Sequence, residues 1–369
     1  MNGLVLSGGG ARAAYQVGVL SYIAEKAPEV RFPIIVGVSA GAINAAFIAG
    51  HRGGSSESLS ALYNCWTSLT IDRVFDTSMG RVGLESARWL WTFGSGGKQL
   101  KGFLNTDPLR EFLAQTLDID GIEANVKAGQ LRAVGISATR WATGQTVTFV
   151  QGASGIPTWE RARRCSTPTR ISVDHVLASG SLPLIFPAVK LDGEWYGDGS
   201  IRQAAPLAPA IHLGADRLLA VATRYSATLD EVKERVTTDY PPPARLIGML
   251  FNTIFLDTLE GDAERLERIN RVIEALPAEV PIPDGLKPIR LLVVRPSRDL
   301  GDVAGEFRGQ LPRSLRLLMR GLGVKDERGP DLLSYLIFEE PYISRVIELG
   351  YEDALSQWSE IERFLAEDD

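Results

Sequence analysis

Three short segments carry residue types that can do chemistry together. A serine sits in Gly37-Val38-Ser39-Ala40-Gly41, directly after the apolar run Phe32-Pro33-Ile34-Ile35-Val36. Small residues on both sides let a chain turn sharply from strand into helix, and such a turn presents the serine at its apex as a nucleophile. The Ala-rich segment from Ala42 to Gly50 reads as the helix that follows, with the positive end of its dipole aimed at Ser39. A serine hydroxyl needs a base. Asp198 lies between glycines just after Trp195-Tyr196, where its carboxylate can be shielded from water, and it is a stronger candidate than any of the three histidines. His212 sits at a helix end and suits capping or packing, His175 opens an apolar helix, and His51 follows a helix-closing glycine at an exposed position.

The third segment, Ser7-Gly8-Gly9-Gly10-Ala11-Arg12, leaves backbone N–H groups uncovered at a helix entrance, so an anion can approach closely. Gly8, Gly10 and Ala13 match the spacing of a dinucleotide fingerprint. That use also needs an acid at the end of the next strand, and the next strand ends in Gly37-Val38-Ser39. The Gly-Lys-Ser/Thr of a phosphate-binding P-loop is missing as well. The remaining use is an oxyanion hole, in which the loop Gly8, Gly9, Gly10, Ala11 and Arg12 receives the charge that develops when serine attacks a carbonyl. Arg12 would either add charge there or brace the loop.

The elements that must position these residues follow from periodicity. Strand-like runs at Leu4–Leu6, Ile34–Val36, Leu131–Ser137, Thr146–Val150, Leu218–Ala222 and Ile289–Val294 alternate with helical patterns. That alternation predicts an α/β architecture around a largely parallel sheet. Val189-Lys190-Leu191 and Glu194-Trp195-Tyr196 flank Asp192-Gly193 and predict a tight hairpin leading straight to Asp198. An insertion over about residues 51–130, with Trp66, Trp89, Trp91 and Phe93 beside Gly94-Ser95-Gly96-Gly97, either shapes a cleft or forms a helical layer. After Pro241-Pro242-Pro243, the stretch from Leu246 to Leu276 is helical and carries apolar residues on more than one face at Leu246, Met249–Phe251 and Ile254–Leu256. It suits a core helix, an oligomer contact or an interfacial surface. The strand at Ile289 returns the chain to the sheet, so the catalytic region is expected over residues 1–300, with a docked helical segment over 301–369.

Composition narrows the partners. The chain has 369 residues, 45% hydrophobic and 23% charged, enough for one large or two modest globular domains. A net charge of −6 argues against a nucleic-acid partner and weakens attachment to an anionic membrane. The cluster Arg161, Arg163, Arg164 and Arg170 beside Trp159 suits either a solvated loop or a lipid phosphate. Cys65 and Cys165 lack the acidic and histidine neighbours of a metal site and read as buried thiols of a reducing compartment. The first strand begins almost at Met1 with no leader pattern, so a cytoplasmic location is expected, and any membrane contact would be peripheral.

Taken together and in this order, Gly8-Gly9-Gly10-Ala11-Arg12, Gly37-Val38-Ser39-Ala40-Gly41 and Asp198-Gly199-Ser200 resemble the three signature blocks of patatin-like phospholipases. Leu177 to Pro187 resembles the stretch that precedes the aspartate in bacterial members. The resemblance covers residues 1–220. It implies a three-layer α/β/α fold, a Ser39–Asp198 dyad with an oxyanion hole from the glycine loop, and hydrolysis of lipid carboxylic esters without metal or cofactor. Two positions depart from the pattern: Ala13 stands where glycine often follows the basic residue, and Ser200 where glycine or alanine is usual. The rival readings are an acyltransferase using the same acyl-enzyme and a lipid- or protein-binding module without catalysis. Lipid class and oligomeric state are not written in these motifs.

Overall fold

Apolar runs with few polar interruptions make strands buried on both faces, and the centre of the molecule is built from them. The computed structural model describes residues 1–76, 104–183, 185–227, 229–234, 243–255, 257–277, 286–307 and 330–366, with 280, 282, 309, 311 and 316. Its strands are β1 (Asn2–Leu6), β2 (Ile34–Val38), β3 (Ala133–Arg140), β4 (Gln145–Gly152), β5 (Glu160–Arg161), β6 (Arg164–Pro168), β7 (Val189–Leu191), β8 (Glu194–Asp198), β9 (Arg217–Val221) and β10 (Arg290–Val294). They form one sheet in the order β10-β9-β1-β2-β3-β4-β6-β5, with β8 paired to β3 and β7. From β10 to β3 every neighbouring pair is parallel. The β3–β4 and β3–β8 pairs are antiparallel.

Side chains alternate across each strand, and two cores result. Leu4, Leu6, Leu219 and Val221 face one of them, while Val5, Leu218 and Ala220 face the other. Helices α1 (Ala14–Lys26) and α2 (Ala40–Gly50) cover the first face, and the segments Ala208–His212 and Asp257–Glu274 cover the second, giving three layers. The later helices α5 (Pro330–Leu336) and α6 (Glu340–Ser356) join the first layer. There Tyr15 of α1 donates its hydroxyl to Asp353 at 3.0 Å, and Tyr22 meets the Tyr351 ring edge-on at 4.9 Å.

Several elements differ from the sequence expectation. The arginine-rich segment around 160–168 pairs onto β4 as a short hairpin, because its backbone groups complete the β4 edge although its side chains are polar. The helical stretch 246–276 is two helices, α4 (Pro243–Phe255) and Asp257–Glu274. On α4, Phe251 is buried while Leu246, Met249 and Leu250 are exposed. Cys65 is buried and Cys165 half-buried, and both are free. The Asp192-Gly193 turn has positive φ at both residues, 48° and 88°, as its hairpin twist requires. Trp89, Trp91, Phe93, Gly94–Gly97, Pro241, Pro242 and the acidic end 367–369 lie outside the described residues. Among the described residues no helix is long and apolar enough to cross a membrane.

Candidate active site

β1 and β2 are parallel neighbours, with Leu6 opposite Gly37, so the glycine loop and Ser39 leave the sheet at the same edge. Ser39 has φ 55° and ψ −131°, a sparsely populated region for a residue with a side chain, and it is the cap residue of α2. Holding it there costs on the order of 1–3 kcal/mol, which the surrounding packing must impose. Gly41 permits the turn, because a Cβ there would run into the carbonyl oxygens of Leu6 and Ser7. The Ser39 N–H donates to Ser179 Oγ at 2.9 Å, and Ser179 Oγ donates to the Ser137 carbonyl at 2.6 Å. Ser179 closes α3 (Val173–Ser179), so α3, the elbow and β3 are tied by one hydroxyl.

Asp198 ends β8 and is fully buried, facing Ala138 of β3. Its backbone is fixed twice: its N–H donates to the Ser181 carbonyl at 3.0 Å, and its carbonyl accepts the Thr139 hydroxyl at 2.8 Å. Oδ1 accepts the Ser200 N–H at 2.9 Å, and Oδ2 has no hydrogen-bond partner among the described residues. Burial pushes the Asp198 carboxyl up to about 7, against the pull of the Ser39 hydroxyl and of the Ser200 amide and hydroxyl beside it. The Ser39 hydroxyl thus favours the carboxylate although Oδ2 completes no hydrogen bond.

Gly8 lies against Ser39 and Ser200: a Cβ on it would stand 2.9 Å from Ser39 Cβ and from Ser200 Oγ. Among the described residues no backbone carbonyl accepts the N–H of Gly8 or Gly9. The loop is held from behind, where the Thr223 hydroxyl donates to the Gly8 carbonyl at 2.6 Å and Gln16 donates to the Ser7 carbonyl at 2.8 Å. Asn44 of α2 donates to Gln16 at 2.9 Å and accepts from Trp66 at 2.7 Å, so buried amides lock the loop to the helix behind Ser39.

Arg12 turns away from Ser39. Its Nε donates to Ser334 Oγ at 2.6 Å, its Nη2 pairs with Asp331 at 3.2 Å, and its guanidinium lies 4.6 Å from the Tyr335 ring centroid. Of the two roles open to it in sequence, this geometry is the brace. The histidines stand elsewhere. His175 exchanges capping hydrogen bonds with Ser172 and packs on Phe149, His212 stacks on Trp159, and His51 is half-buried against Phe47. Sequence reasoning missed Ser179, Thr139 and Thr223, whose partners are distant in the chain. Ser179 lay inside the Leu177–Pro187 stretch, but nothing local marks it as the holder of the elbow.

A family model described as patatin-like phospholipase matches residues 4–211, more than half of the chain. The chain belongs to the patatin-like phospholipase family. Its glycine loop, serine elbow and buried aspartate all fall inside the matched span. Solved structures that resemble this patatin-like chain include human GIVD cytosolic phospholipase A2, at 12% identity and a TM-score of 0.48, covering 99% of this chain and 60% of that one. VipD from Legionella pneumophila, at 12% identity and a TM-score of 0.36, matches across 97% of this chain and 67% of its own. The type III effector protein ExoU matches at 15% identity and a TM-score of 0.29, over 90% and 76%. The chain spans about three fifths of the human phospholipase chain it resembles. No curated protein matches it.

Proposed function

We propose that this patatin-like protein is a lipid acyl hydrolase that cleaves carboxylic esters with Ser39 as nucleophile and Asp198 as its base. The observation that carries this reading is the full burial of the Asp198 carboxyl, which pushes it up to about 7 while the Ser39 hydroxyl pulls the other way. A carboxylic acid of that strength can both take and return a proton near neutral pH. Asp198 accepts the Ser39 proton as Ser39 Oγ forms a bond to the ester carbonyl carbon. The N–H groups of Gly8 and Gly9, with their loop neighbours, receive the oxyanion, and the leaving alkoxide departs with the proton from Asp198. Water then gives a proton to Asp198 as its oxygen attacks the acyl carbon; the bond to Ser39 Oγ breaks, Asp198 returns the proton to Ser39 Oγ, and the acid is released. The strained backbone of Ser39, the uncovered glycine amides and the first turn of α2 support the same reading. The lipid ester substrate and peripheral contact with a lipid surface belong to this proposal.

Purified Ser39→Ala and Asp198→Asn should each lose p-nitrophenyl butyrate turnover by about 10³-fold or more, and Ser39→Ala should lose labelling by a fluorophosphonate probe. Turnover near the wild-type rate in either variant would overturn the dyad.

A further inference from the structure

A cavity of roughly 720 Å³ opens beside Ser200, two residues after Asp198. Arg161, Arg163, Arg164 and Arg202 all line it, and among the described residues no Asp or Glu does. In a chain of net charge −6 this concentration of one sign is local, and the buried Asp262 feels it through Arg164. Among the described residues, none of the four guanidinium groups meets a carboxylate at ion-pair distance. Arg170, by contrast, pairs with Asp120 at 2.6 Å outside the cavity. Arg161 and Arg164 stand directly opposite each other in the β5–β6 hairpin, an arrangement of like charges that destabilises a strand pair. The same field reaches His212, whose pKa is lowered first by burial and then by Arg164 and Arg161.

The wall of the cavity holds a second signal. Thr146 is 5% exposed, lines the cavity, and its hydroxyl has no hydrogen-bond partner among the described residues. Buried hydroxyls are almost always satisfied, so an orphan beside unpaired arginines marks a place for an acceptor-rich anion. Apolar surface runs out of the same cavity. Ile254 of α4 lines it, and Leu250 and Leu246, one and two turns earlier on the same row of the helix, are exposed.

We propose that this cavity binds the phosphate group of an amphiphilic ligand through the guanidinium groups of Arg161, Arg163 and Arg164 and the Thr146 hydroxyl. The exposed row on α4 carries the ligand's apolar part. A bound phosphate offsets the Arg161–Arg164 repulsion and gives Thr146 its missing acceptor. Binding there needs no turnover, so it is tested on the full chain carrying Ser39→Ala, which rules out turnover during the measurement.

Two probes separate the sources of the phosphate. Glycerol 3-phosphate is followed by thermal shift and calorimetry, and phosphatidylcholine vesicles with and without phosphatidic acid are followed by co-sedimentation. Binding of the phosphatidic acid vesicles supports the amphiphile with its headgroup in the cavity, and binding of glycerol 3-phosphate without binding of the vesicles would mean a free phosphoester and overturn the role of α4. In either case Arg161→Gln with Arg164→Gln should weaken binding by about tenfold or more, Thr146→Val should weaken it less, and Arg170→Gln should leave it unchanged. The double variant relieves a like-charge pair and should unfold no earlier than its parent, so lost binding is not lost folding. Failure of both probes to bind, or equal weakening by Arg170→Gln, would overturn the proposal without bearing on ester turnover.

Discussion

Ser39 and Ser179 are joined across 140 residues of sequence by a buried hydrogen bond of 2.9 Å from the Ser39 amide to the Ser179 hydroxyl. The bond orients the peptide of a residue whose backbone is strained, and Ser179 is itself fixed on the Ser137 carbonyl. Ser179→Ala therefore leaves a buried N–H and a buried carbonyl short of partners, at a cost of about 1–3 kcal/mol. A relaxed elbow misaims the hydroxyl, so kcat should fall by about tenfold or more while KM changes little. Urea unfolding and steady-state kinetics on a soluble ester check both effects. A variant with wild-type stability and kcat would show that the elbow holds its shape without this bond.

Asp198 couples stability to pH in an uncommon direction. Its carboxyl is pushed up to about 7 in the fold, whereas an aspartate in the unfolded chain titrates near about 3.9. Below that lower value both states are protonated and the group contributes no penalty. Between the two values the unfolded chain ionises while the fold stays protonated, so stability falls as pH rises. Above about 7 the loss is complete, on the order of 4 kcal/mol. Asp198→Asn has no proton to lose, so its stability advantage over wild type should appear as pH rises from about 4 to about 7 and then level off. Urea unfolding at several pH values reads this. An advantage that shrinks with rising pH would mean that the carboxylate, not the acid, is the favoured form in the fold.

The same titration governs the proposed chemistry with the opposite benefit. Asp198 can accept the Ser39 proton only as carboxylate, so kcat/KM for a neutral ester should rise through about pH 7 and fall tenfold for each unit below it. A profile flat from about pH 5 to about pH 8 would remove Asp198 as the base.

The parts of the site that were legible in sequence are those whose cause is local. Ser39 between small residues forces an elbow, and Asp192-Gly193 forces the hairpin that ends at Asp198. The central strands were legible because burial on both faces leaves apolar runs with little ambiguity. Long-range partners were not legible. Arg12 reads equally well as a charge in the site or as a brace, since its Asp331 partner lies 319 residues away and no local pattern points to it. Thr223, just past β9, and Thr139 of β3 support the glycine loop and Asp198 in the same silent way. The β5–β6 hairpin was hidden for a different reason: its short strands lie half-buried or exposed, so they carry no apolar signature.

Gly8 and Gly10 should separate function from stability. A methyl group on Gly8 stands 2.9 Å from Ser39 Cβ and Ser200 Oγ, with no positive φ to forbid alanine. Gly8→Ala should therefore displace Ser39 and lower turnover by about 10²-fold, for a stability loss of about 1–3 kcal/mol. Gly10 has φ 58°, and a methyl group there runs into the Tyr335 carbonyl oxygen of α5, a backbone atom that cannot rotate aside. Gly10→Ala should be the less stable of the two, because left-handed strain adds to overpacking. Thermal unfolding should rank wild type above Gly8→Ala above Gly10→Ala. The reverse order of the two variants would mean that α5 yields more easily than the serine elbow.

Arg12 tests whether geometry or charge holds α5 to the glycine loop. Its side chain is 3% exposed, while Asp331 is 32% exposed and can be hydrated if left alone. Lysine keeps the charge but cannot reach Ser334 and Asp331 together or lie flat on Tyr335, so Arg12→Lys buries an ammonium with fewer partners. Arg12→Met removes the buried charge and fills similar volume; it leaves the partly exposed Asp331, whose loss is reduced by solvent screening, and the Ser334 hydroxyl, which keeps its own bond to the Asp331 carbonyl. Arg12→Lys should therefore cost about 3 kcal/mol or more, and Arg12→Met should cost less, although methionine is chemically the larger change. If the order by urea unfolding were Met below Lys, charge alone would be holding the brace, and the fork geometry at Ser334 would contribute little.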